Sequence, residues 1–247
     1  MKIAAAQIRS VAGDIGKNIE KHLELVAVAV EQRADLIFFP ELSLTGYEPT
    51  LAKELATHQD DPRLDVFQQQ SDAHNIIISV GMPLLSDIGV QDAGVRIGMI
   101  LFLPAQSRVS YAKQLLHSDE LSFFVPGYEQ LTLNLPGHTL APAICFESLQ
   151  ASHSNDAARA GADIYLASVA KSAIGLGKAY SHFSTIAKQH MMTVLMANSV
   201  GPSDNFVSAG QSAIWSNRGE LVGQLDSQQE GIVMIDTETN QATVTGV

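Results

Sequence analysis

The one cysteine of this chain, Cys145, comes directly after an apolar run and is the strongest nucleophile that the sequence offers. Glu41 and Lys113 also stand where predicted strands end. A thiol attacks a carbonyl carbon when a base takes its proton, and an ammonium group can stabilise the oxyanion that forms. Strand ends in α/β folds carry functional sites. The three side chains are therefore candidates for an acyl-transfer site with a cysteine nucleophile.

Each of these residues also has an ordinary structural interpretation. A lone cysteine on an apolar segment is usually a small buried side chain, and a lysine at a strand end usually reaches solvent. A glutamate after a strand often accepts hydrogen bonds from loop amides. The catalytic interpretation of Glu41, Lys113 and Cys145 depends on their occurring together.

The elements that must position these residues alternate between strand and helix. In the first half we predict strand Ile3–Gln7, helix Asn18–Gln32, strand Asp35–Phe39, helix Pro62–His74, and strands Ile76–Val80, Val95–Leu103 and Arg108–Lys113. In the second half we predict strand Leu140–Cys145, helix Asn155–Ala160, strand Asp163–Ala167, helix Tyr180–His190 and strand Thr193–Ala197.

Most of the predicted strands are apolar on consecutive residues, whereas the helices are amphipathic. Strands of this kind are covered on both faces, which indicates two sheets with helices outside them. The two halves have a similar order, which suggests an internal pseudo-twofold, although alternating strands and helices are common in α/β proteins. No linker interrupts the chain, so we expect one domain over residues 1–247.

Composition excludes several classes of partner. The 247 residues carry a net charge of -11 with only 15 Lys+Arg, so the chain should repel nucleic acids. One cysteine excludes an internal disulfide, and Gln7 and Arg9 interrupt the first apolar run too early for a secretory signal. No apolar run approaches the roughly 20 residues of a membrane span. We therefore expect a cytoplasmic protein that acts on small molecules without binding a membrane.

Several longer stretches resemble one known family. Three of them are similar, in family order, to the signature blocks of the nitrilase superfamily of carbon–nitrogen hydrolases: FFPELSLTGY (Phe38–Tyr47), YAKQLL with DELSFFVPG (Tyr111–Leu116, Asp119–Gly127) and AICFES (Ala143–Ser148). Further similarity lies in IAAAQ near the start, in the segments Gly161–Asp163 and Ala197–Gly201, and in the closing GQSAIWSNRGELV. The resemblance spans nearly the whole chain.

This resemblance implies a four-layer αββα sandwich that pairs into a homodimer or a larger homo-oligomer. It places Glu41, Lys113 and Cys145 in the positions of the family's Glu–Lys–Cys triad, and it adds Glu120 as a second acid that orients Lys113 or the substrate. Phe146 is placed among the substrate-binding residues because its backbone N–H could assist Lys113 in stabilising the oxyanion.

Two further residues of these blocks receive roles. Tyr47, which ends the first block, is placed among the substrate-binding residues. Glu147 is interpreted as structural support for the Cys145 turn, with Arg159 as its expected ion-pair partner.

No cofactor or metal is expected. The segment Gly175–Lys178 lacks the earlier glycine and the Ser/Thr of a phosphate-binding loop. The eight histidines show no ligand spacing with one another or with the cysteine.

The segment SVAKS (Ser168–Ser172) follows a predicted strand and should line the substrate pocket. Its small side chains leave room, and Lys171 could receive a substrate carboxylate. An amide of a dicarboxylic acid or a carbamoyl amino acid is therefore one hypothesis, and a solvated loop lysine is the alternative.

The sequence predicts an amidase that hydrolyses a small amide, an ω-amide or a carbamoyl compound to an acid and ammonia or an amine, through a thioester on Cys145. Nitrile hydrolysis and acyl transfer by the same triad stay open as alternatives, as does a catalytically silent binding protein on this fold. The physiological substrate and the oligomer size also stay open.

Overall fold

The structure, a computed structural model, describes residues 1–86 and 93–247. The elements of the first half are β1 (Lys2–Gln7), α1 (Ile15–Glu31), β2 (Leu36–Phe38), α2 (Ala52–Leu55), α3 (Asp65–His74), β3 (Ile77–Leu85), β4 (Val95–Phe102) and β5 (Val109–Ala112). These elements include both predicted helices and every predicted strand of this half. Their boundaries differ from the predicted ones by a few residues, and the largest difference is at the end of β3, which extends to Leu85.

The second half contains β6 (Leu133–Leu135), β7 (His138–Ile144), α4 (Ala151–Arg159), β8 (Ile164–Val169), α5 (Ala173–His190), β9 (Thr193–Asn198), β10 (Val200–Ser203), β11 (Phe206–Ala209), β12 (Ala213–Trp215), β13 (Leu221–Gln224), β14 (Gly231–Asp236) and β15 (Gln241–Gly246). Short 3₁₀ turns lie at Pro49–Leu51, Pro62–Leu64, Glu120–Ser122 and Glu147–Leu149.

The strands form two mixed sheets and a separate hairpin of β10 and β11. The first sheet has the order β15-β14-β1-β2-β3-β4-β5, and the second has the order β13-β12-β9-β8-β7-β6. In each sheet a parallel centre, β1-β2-β3 or β7-β8-β9, is flanked by antiparallel strands. The two sheets therefore share one arrangement, as the similar order of the two halves predicts.

The core explains why successive strand residues are apolar. Ile3 and Leu36 of the first sheet belong to the same buried cluster as Leu140 and Leu166 of the second, between the sheets. The alternate residues face the helices, as Ala4 does in the cluster that contains Leu25 of α1. Tyr165 of β8 and Phe183 of α5 belong to the corresponding cluster between the second sheet and its helices. This layering confirms the predicted αββα sandwich.

Helix α1 shows how the sequence defines one outer layer. The Asp14 side chain accepts a hydrogen bond from the backbone N–H of Lys17 and caps the first turn. The buried positions of α1 recur at helical spacing: Ile15, Asn18, His22, Leu25, Val26 and Ala29. The helix ends at Glu31, and the chain turns at Arg33, which has a left-handed φ of 59°.

The C-terminal strands were not predicted. β14 returns to the first sheet and pairs antiparallel with β1, with Lys2 opposite Asp236, and β15 then pairs with β14. The first sheet is therefore built from both ends of the chain and not from the first half alone. Among the described residues, none of the helices is long and apolar enough to cross a membrane.

Candidate active site

Glu41, Lys113 and Cys145 meet at one end of the sandwich because each follows the end of a strand. Glu41 lies shortly after β2, Lys113 directly after β5, and Cys145 directly after β7. β2 and β5 belong to the first sheet and β7 to the second, so the site lies between the ends of the two sheets.

Lys113 holds two carboxylates together in the interior. Its Nζ lies 2.8 Å from Oε1 of Glu41 and 2.6 Å from Oε1 of Glu120, and all three side chains are at most 2% exposed. Burial alone would lower the pKa of Lys113, but the negative charges of Glu41 and Glu120 outweigh it and raise that pKa. Lys113 is therefore a positively charged ammonium group at neutral pH.

Glu120 is held by donors on both of its oxygens. Oε1 accepts a hydrogen bond from the Tyr47 hydroxyl at 3.0 Å in addition to that from Lys113, and Oε2 accepts one from the His117 backbone N–H at 2.7 Å. A carboxylate held in this way is suited to orienting Lys113 and unsuited to moving through a proton-transfer cycle.

Glu41 has one oxygen bound and one free. Oε1 accepts from Lys113, whereas Oε2 is buried and has no hydrogen-bond partner among the described residues. Burial raises the pKa of Glu41, and Lys113 partly offsets that effect. The neighbouring Cys145 thiol also favours the charged carboxylate. Glu41 thus has the free oxygen, the raised pKa and the position of a general base.

The loop that carries Glu41 packs tightly on β3 at Gly81. A Cβ at this position would lie 2.5 Å from both the Leu42 nitrogen and the Pro40 oxygen. Leu42 has a left-handed φ of 51°, and Leu44 N–H donates to the Gly81 carbonyl at 3.0 Å. The Glu41 loop can approach β3 this closely because Gly81 has no side chain.

Cys145 occupies a left-handed turn with a φ of 46°. Such a conformation costs a non-glycine residue on the order of 1–3 kcal/mol and is maintained by its surroundings. The Cys145 N–H donates to the Ser168 carbonyl at 2.9 Å, and the Cys145 carbonyl accepts from the Ser148 hydroxyl at 2.6 Å. Sγ lies 3.8 Å from Nζ of Lys171.

The Cys145 thiol is protonated at rest. Desolvation and the charge of Glu41 raise its pKa to about 11, although Lys171 and Lys113 act in the opposite direction. A reaction at this sulfur would therefore require a base to remove its proton.

Glu147 ties the Cys145 turn to the strand end that carries Lys113. Its Oε1 accepts from the Ile144 N–H at 2.7 Å and from the Tyr111 hydroxyl at 2.7 Å, and its Oε2 accepts from the Gln114 N–H at 2.6 Å. The predicted pair with Arg159 is wrong. Glu147 is buried, whereas Arg159 is exposed on α4 and pairs there with Asp156.

Sequence reasoning also missed the aromatic partners of Glu147. The Tyr111 hydroxyl lies 3.0 Å from Nε2 of His153, whose Nδ1 lies 2.8 Å from the Tyr165 hydroxyl. Burial lowers the pKa of His153 to about 4, so this histidine is neutral and structural. Tyr111 begins the YAKQLL segment, and its position two residues before Lys113 was the signal available.

A cavity of about 580 Å³ opens above Cys145. The residues that line it include Cys145, Glu120, Tyr47, Phe146, Lys171, Ser172, Gly175, Lys178 and Phe206. Three of the residues predicted to bind substrate, Tyr47, Phe146 and Lys171, are therefore at the cavity wall.

Ser168 is not brought to the cavity with the other predicted residues. Its side chain is buried, and its hydroxyl donates to the Phe39 carbonyl at 2.8 Å. Ser168 has the same parity on β8 as Ile164 and Leu166, which face the other sheet. The hydrogen bond from the Ser168 hydroxyl to Phe39 therefore links the two sheets beneath the site.

No cluster of three or more His, Cys, Asp or Glu side chains suited to a metal ion occurs in residues 1–86 and 93–247.

The model of the family described as carbon-nitrogen hydrolase matches residues 2–245 of the chain. This chain belongs to the carbon–nitrogen hydrolase family. The nitrilase-superfamily assignment and the enzyme class that the sequence indicates are thereby confirmed.

Solved structures share the fold of this hydrolase. A mutant of the amidase from Nesterenkonia sp. AN1 in complex with butyramide is 23% identical, with a TM-score of 0.84 over 97% of this chain and 92% of that chain. A structure of another mutant of that amidase shows the acetamide moiety of fluoroacetamide added covalently at the active-site cysteine. It is also 23% identical, with a TM-score of 0.83 over 96% of this chain and 90% of that chain.

The curated relatives are glutamine-dependent NAD(+) synthetases. That of Acinetobacter baylyi is 27% identical over 250 residues, which cover 97% of this chain and 44% of the relative. That of Aquifex aeolicus is 26% identical over 255 residues, which cover 98% of this chain and 43% of the relative. This hydrolase thus spans less than half the length of these curated relatives.

Proposed function

We propose that this hydrolase cleaves small carboxylic amides through a thioester on Cys145, with Glu41 as the proton carrier and Lys113 as the oxyanion-stabilising cation. The observation that carries the proposal is the buried Glu41 carboxylate beside the thiol, with one oxygen bound to Lys113 and the other free. The cavity above Cys145 supplies room for the acyl group.

In the first step, Glu41 takes the thiol proton while Sγ of Cys145 attacks the amide carbon. Transfer concerted with attack is required because the thiol pKa of about 11 leaves little thiolate at neutral pH. The carbonyl oxygen becomes an oxyanion. Lys113 donates two of its three N–H groups to Glu41 and Glu120, so the third is available to this oxygen together with the Phe146 backbone N–H.

In the second step, the protonated Glu41 gives its proton to the departing nitrogen, and the carbon–nitrogen bond breaks to release ammonia or an amine. A water molecule then loses a proton to Glu41 as its oxygen attacks the thioester carbon. The carbon–sulfur bond breaks, the acid leaves, and the sulfur recovers its proton from Glu41. One carboxyl group therefore serves both half-reactions.

Glutamine is a specific candidate substrate, since the similar NAD(+) synthetases are named as glutamine-dependent and the glutamine side chain ends in an amide. Nitrile hydrolysis and acyl transfer would use the same three residues. A nitrile would pass through a thioimidate, and acyl transfer would replace water with another nucleophile.

The proposal is tested by measuring ammonia release from butyramide, succinamate, glutamine, a carbamoyl amino acid and butyronitrile, with Cys145→Ala as the control. We expect release from one or more of the amides and none with Cys145→Ala. Equal release by the variant would refute the cysteine mechanism. Faster release from the nitrile than from every amide would favour a nitrilase, and hydroxamate formed with added hydroxylamine would report the acyl-enzyme.

A further inference from the structure

Lys171 is a buried cation of the cavity wall that the proposed mechanism does not use. The residue is only 9% exposed, and its Nζ lies 3.8 Å from Sγ of Cys145. Lys113 has Glu41 and Glu120 as partners, whereas Lys171 forms no ion pair within residues 1–86 and 93–247. A buried ammonium group without an anion is unfavourable, so the site is suited to binding one.

The backbone of Lys171 is held on both sides. Its N–H donates to Oδ1 of Asn198 at 2.8 Å, and its carbonyl accepts from Nδ2 of Asn198 at 3.2 Å. The Ala209 N–H donates to the same carbonyl at 2.8 Å. Asn198 is fully buried. This bracing directs the Lys171 side chain to the cavity, which differs from the behaviour of a solvated loop lysine.

The first turn of α5 reaches the same cavity through Ser172 and Gly175. The helix has 18 residues, no acidic side chain in its first turn, and no side-chain cap at Ser172. The positive end of the helix dipole favours an anion here. Two independent sources of positive potential, an ammonium group and a helix terminus, therefore converge on the same wall of the cavity.

We propose that Lys171 and the first turn of α5 form a carboxylate subsite for the acyl part of the substrate, so that the preferred amide is the monoamide of a short dicarboxylic acid. This inference rests on the proposed function, because it identifies the acyl group that Cys145 receives. Lys171 is then the residue that selects between anionic and neutral amides.

The position of Lys171 limits the length of the substrate. A carboxylate oxygen paired with Nζ lies about 2.8 Å from it, so this oxygen lies within roughly 6.6 Å of Sγ. Succinamate and glutaramate can meet that limit while their amide carbon is bonded to sulfur. Longer chains must fold back in the cavity, so activity should decline from succinamate and glutaramate to adipamate and suberamate.

Lys171 has a competing role, which is to stabilise the Cys145 sulfur as it loses its proton. In that role Lys171 would act on every amide alike. Succinamate and butyramide separate the two roles because they have the same number of carbons and differ in the terminal carboxylate.

The test measures binding and turnover separately. Binding is measured by calorimetry in Cys145→Ala, which prevents turnover, and in Cys145→Ala combined with Lys171→Met. We expect Cys145→Ala to bind succinamate at least about tenfold more tightly than butyramide, and the double variant to lose that preference. Similar affinities for the two amides, or equal loss of both with Lys171→Met, would overturn the inference.

Turnover gives the second readout. With Cys145 intact, Lys171→Met should lower the ratio of kcat/KM for succinamate to that for butyramide by about 10- to 100-fold, chiefly through KM. The matched control is Lys188→Met, which removes an exposed lysine near the other end of α5 and should leave the ratio unchanged. An unchanged ratio in Lys171→Met would contradict the inference. Full activity in Cys145→Ala would instead refute the proposed function, and the binding experiment would still report on the subsite.

Discussion

The Glu147 carboxylate accepts a hydrogen bond from the Gln114 N–H at 2.6 Å and thereby joins the turn of Cys145 to the residue after Lys113. The other oxygen of Glu147 binds the N–H of Ile144, the residue before Cys145. One buried side chain thus sets the distance between the proposed nucleophile and the proposed cation, which belong to different sheets.

Glu147→Gln tests this link. An amide side chain has one acceptor oxygen in place of two, so either the Ile144 or the Gln114 contact is lost. We expect kcat to fall by about tenfold or more through misplacement of the two groups, with less effect on KM. Amide hydrolysis kinetics of the variant measure this, and unaltered kcat would show that the link is not needed for catalysis.

The stability of the same variant should depend on pH in a defined direction. Burial raises the pKa of Glu147 from 4.5 to about 6, although its hydrogen bonds oppose the shift. Between these values the unfolded chain releases a proton that the folded chain retains, so the contribution of Glu147 to stability is lost as pH rises. The free energy of unfolding of the native protein should fall by about 2 kcal/mol relative to Glu147→Gln between pH 4 and pH 7.

Denaturant titrations of the two proteins at each pH measure this difference. A difference that does not change with pH would contradict the raised pKa, and a difference of opposite slope would indicate a lowered one.

Lys113→Met should affect both stability and activity. The variant leaves the buried Glu41 and Glu120 carboxylates without a cation, which typically costs about 3–5 kcal/mol of unfolding free energy. Loss of Lys113 also raises the pKa of Glu41 further, so the cost should be smaller at pH 5 than at pH 8. Activity should fall by about 10²–10³. Lys188→Met, at an exposed position, is the control for charge removal, and equal effects of the two variants would contradict this role.

Glu41→Gln separates the charge of Glu41 from its role as a base. The Glu41 charge raises the pKa of Cys145, so the variant should lower that pKa below about 11. The ultraviolet absorbance of the thiolate measures the shift. Amide hydrolysis should nevertheless fall by about 10²-fold or more because proton transfer to nitrogen is lost. Retained hydrolysis would show that Glu41 does not carry the proton.

Gly81→Ala tests how the Glu41 loop is positioned. The added Cβ would lie 2.5 Å from the Leu42 nitrogen, so the loop must move. We expect a loss of about 1–3 kcal/mol in stability and a fall in kcat of about tenfold or more. Gly177→Ala is the matched control because nothing lies within 4 Å of its added Cβ in α5. Full activity in Gly81→Ala would contradict the tight packing of this loop.

The strand ends of the site could be predicted from sequence because they are local features. The apolar runs before Glu41 and Cys145 mark strands, and the structure places both residues just after β2 and β7. The role of Glu120 came from family resemblance, and its contact with Lys113 is in the structure.

Contacts between distant segments could not be predicted in the same way. The pairing of β14 with β1 joins the two ends of the chain, and the bond between Glu147 and Gln114 joins two sheets. Neither of these contacts produces a periodic pattern of apolar residues in the sequence. The orientation of Ser168 could have been found, since its parity with Ile164 and Leu166 on β8 points it between the sheets. Spacing along the chain favours Arg159 as the partner of Glu147, but Glu147 is buried and Arg159 is exposed.

Passage of the acyl group through Cys145 can be detected by acid quenching during the first turnover of butyramide, followed by peptide mass spectrometry. Parallel reactions contain hydroxylamine to trap the thioester. We expect one butyryl group on the peptide that contains Cys145, or butyryl hydroxamate where hydrolysis of the thioester is fast. Butyric acid formed with neither the adduct nor the hydroxamate would contradict the thioester mechanism.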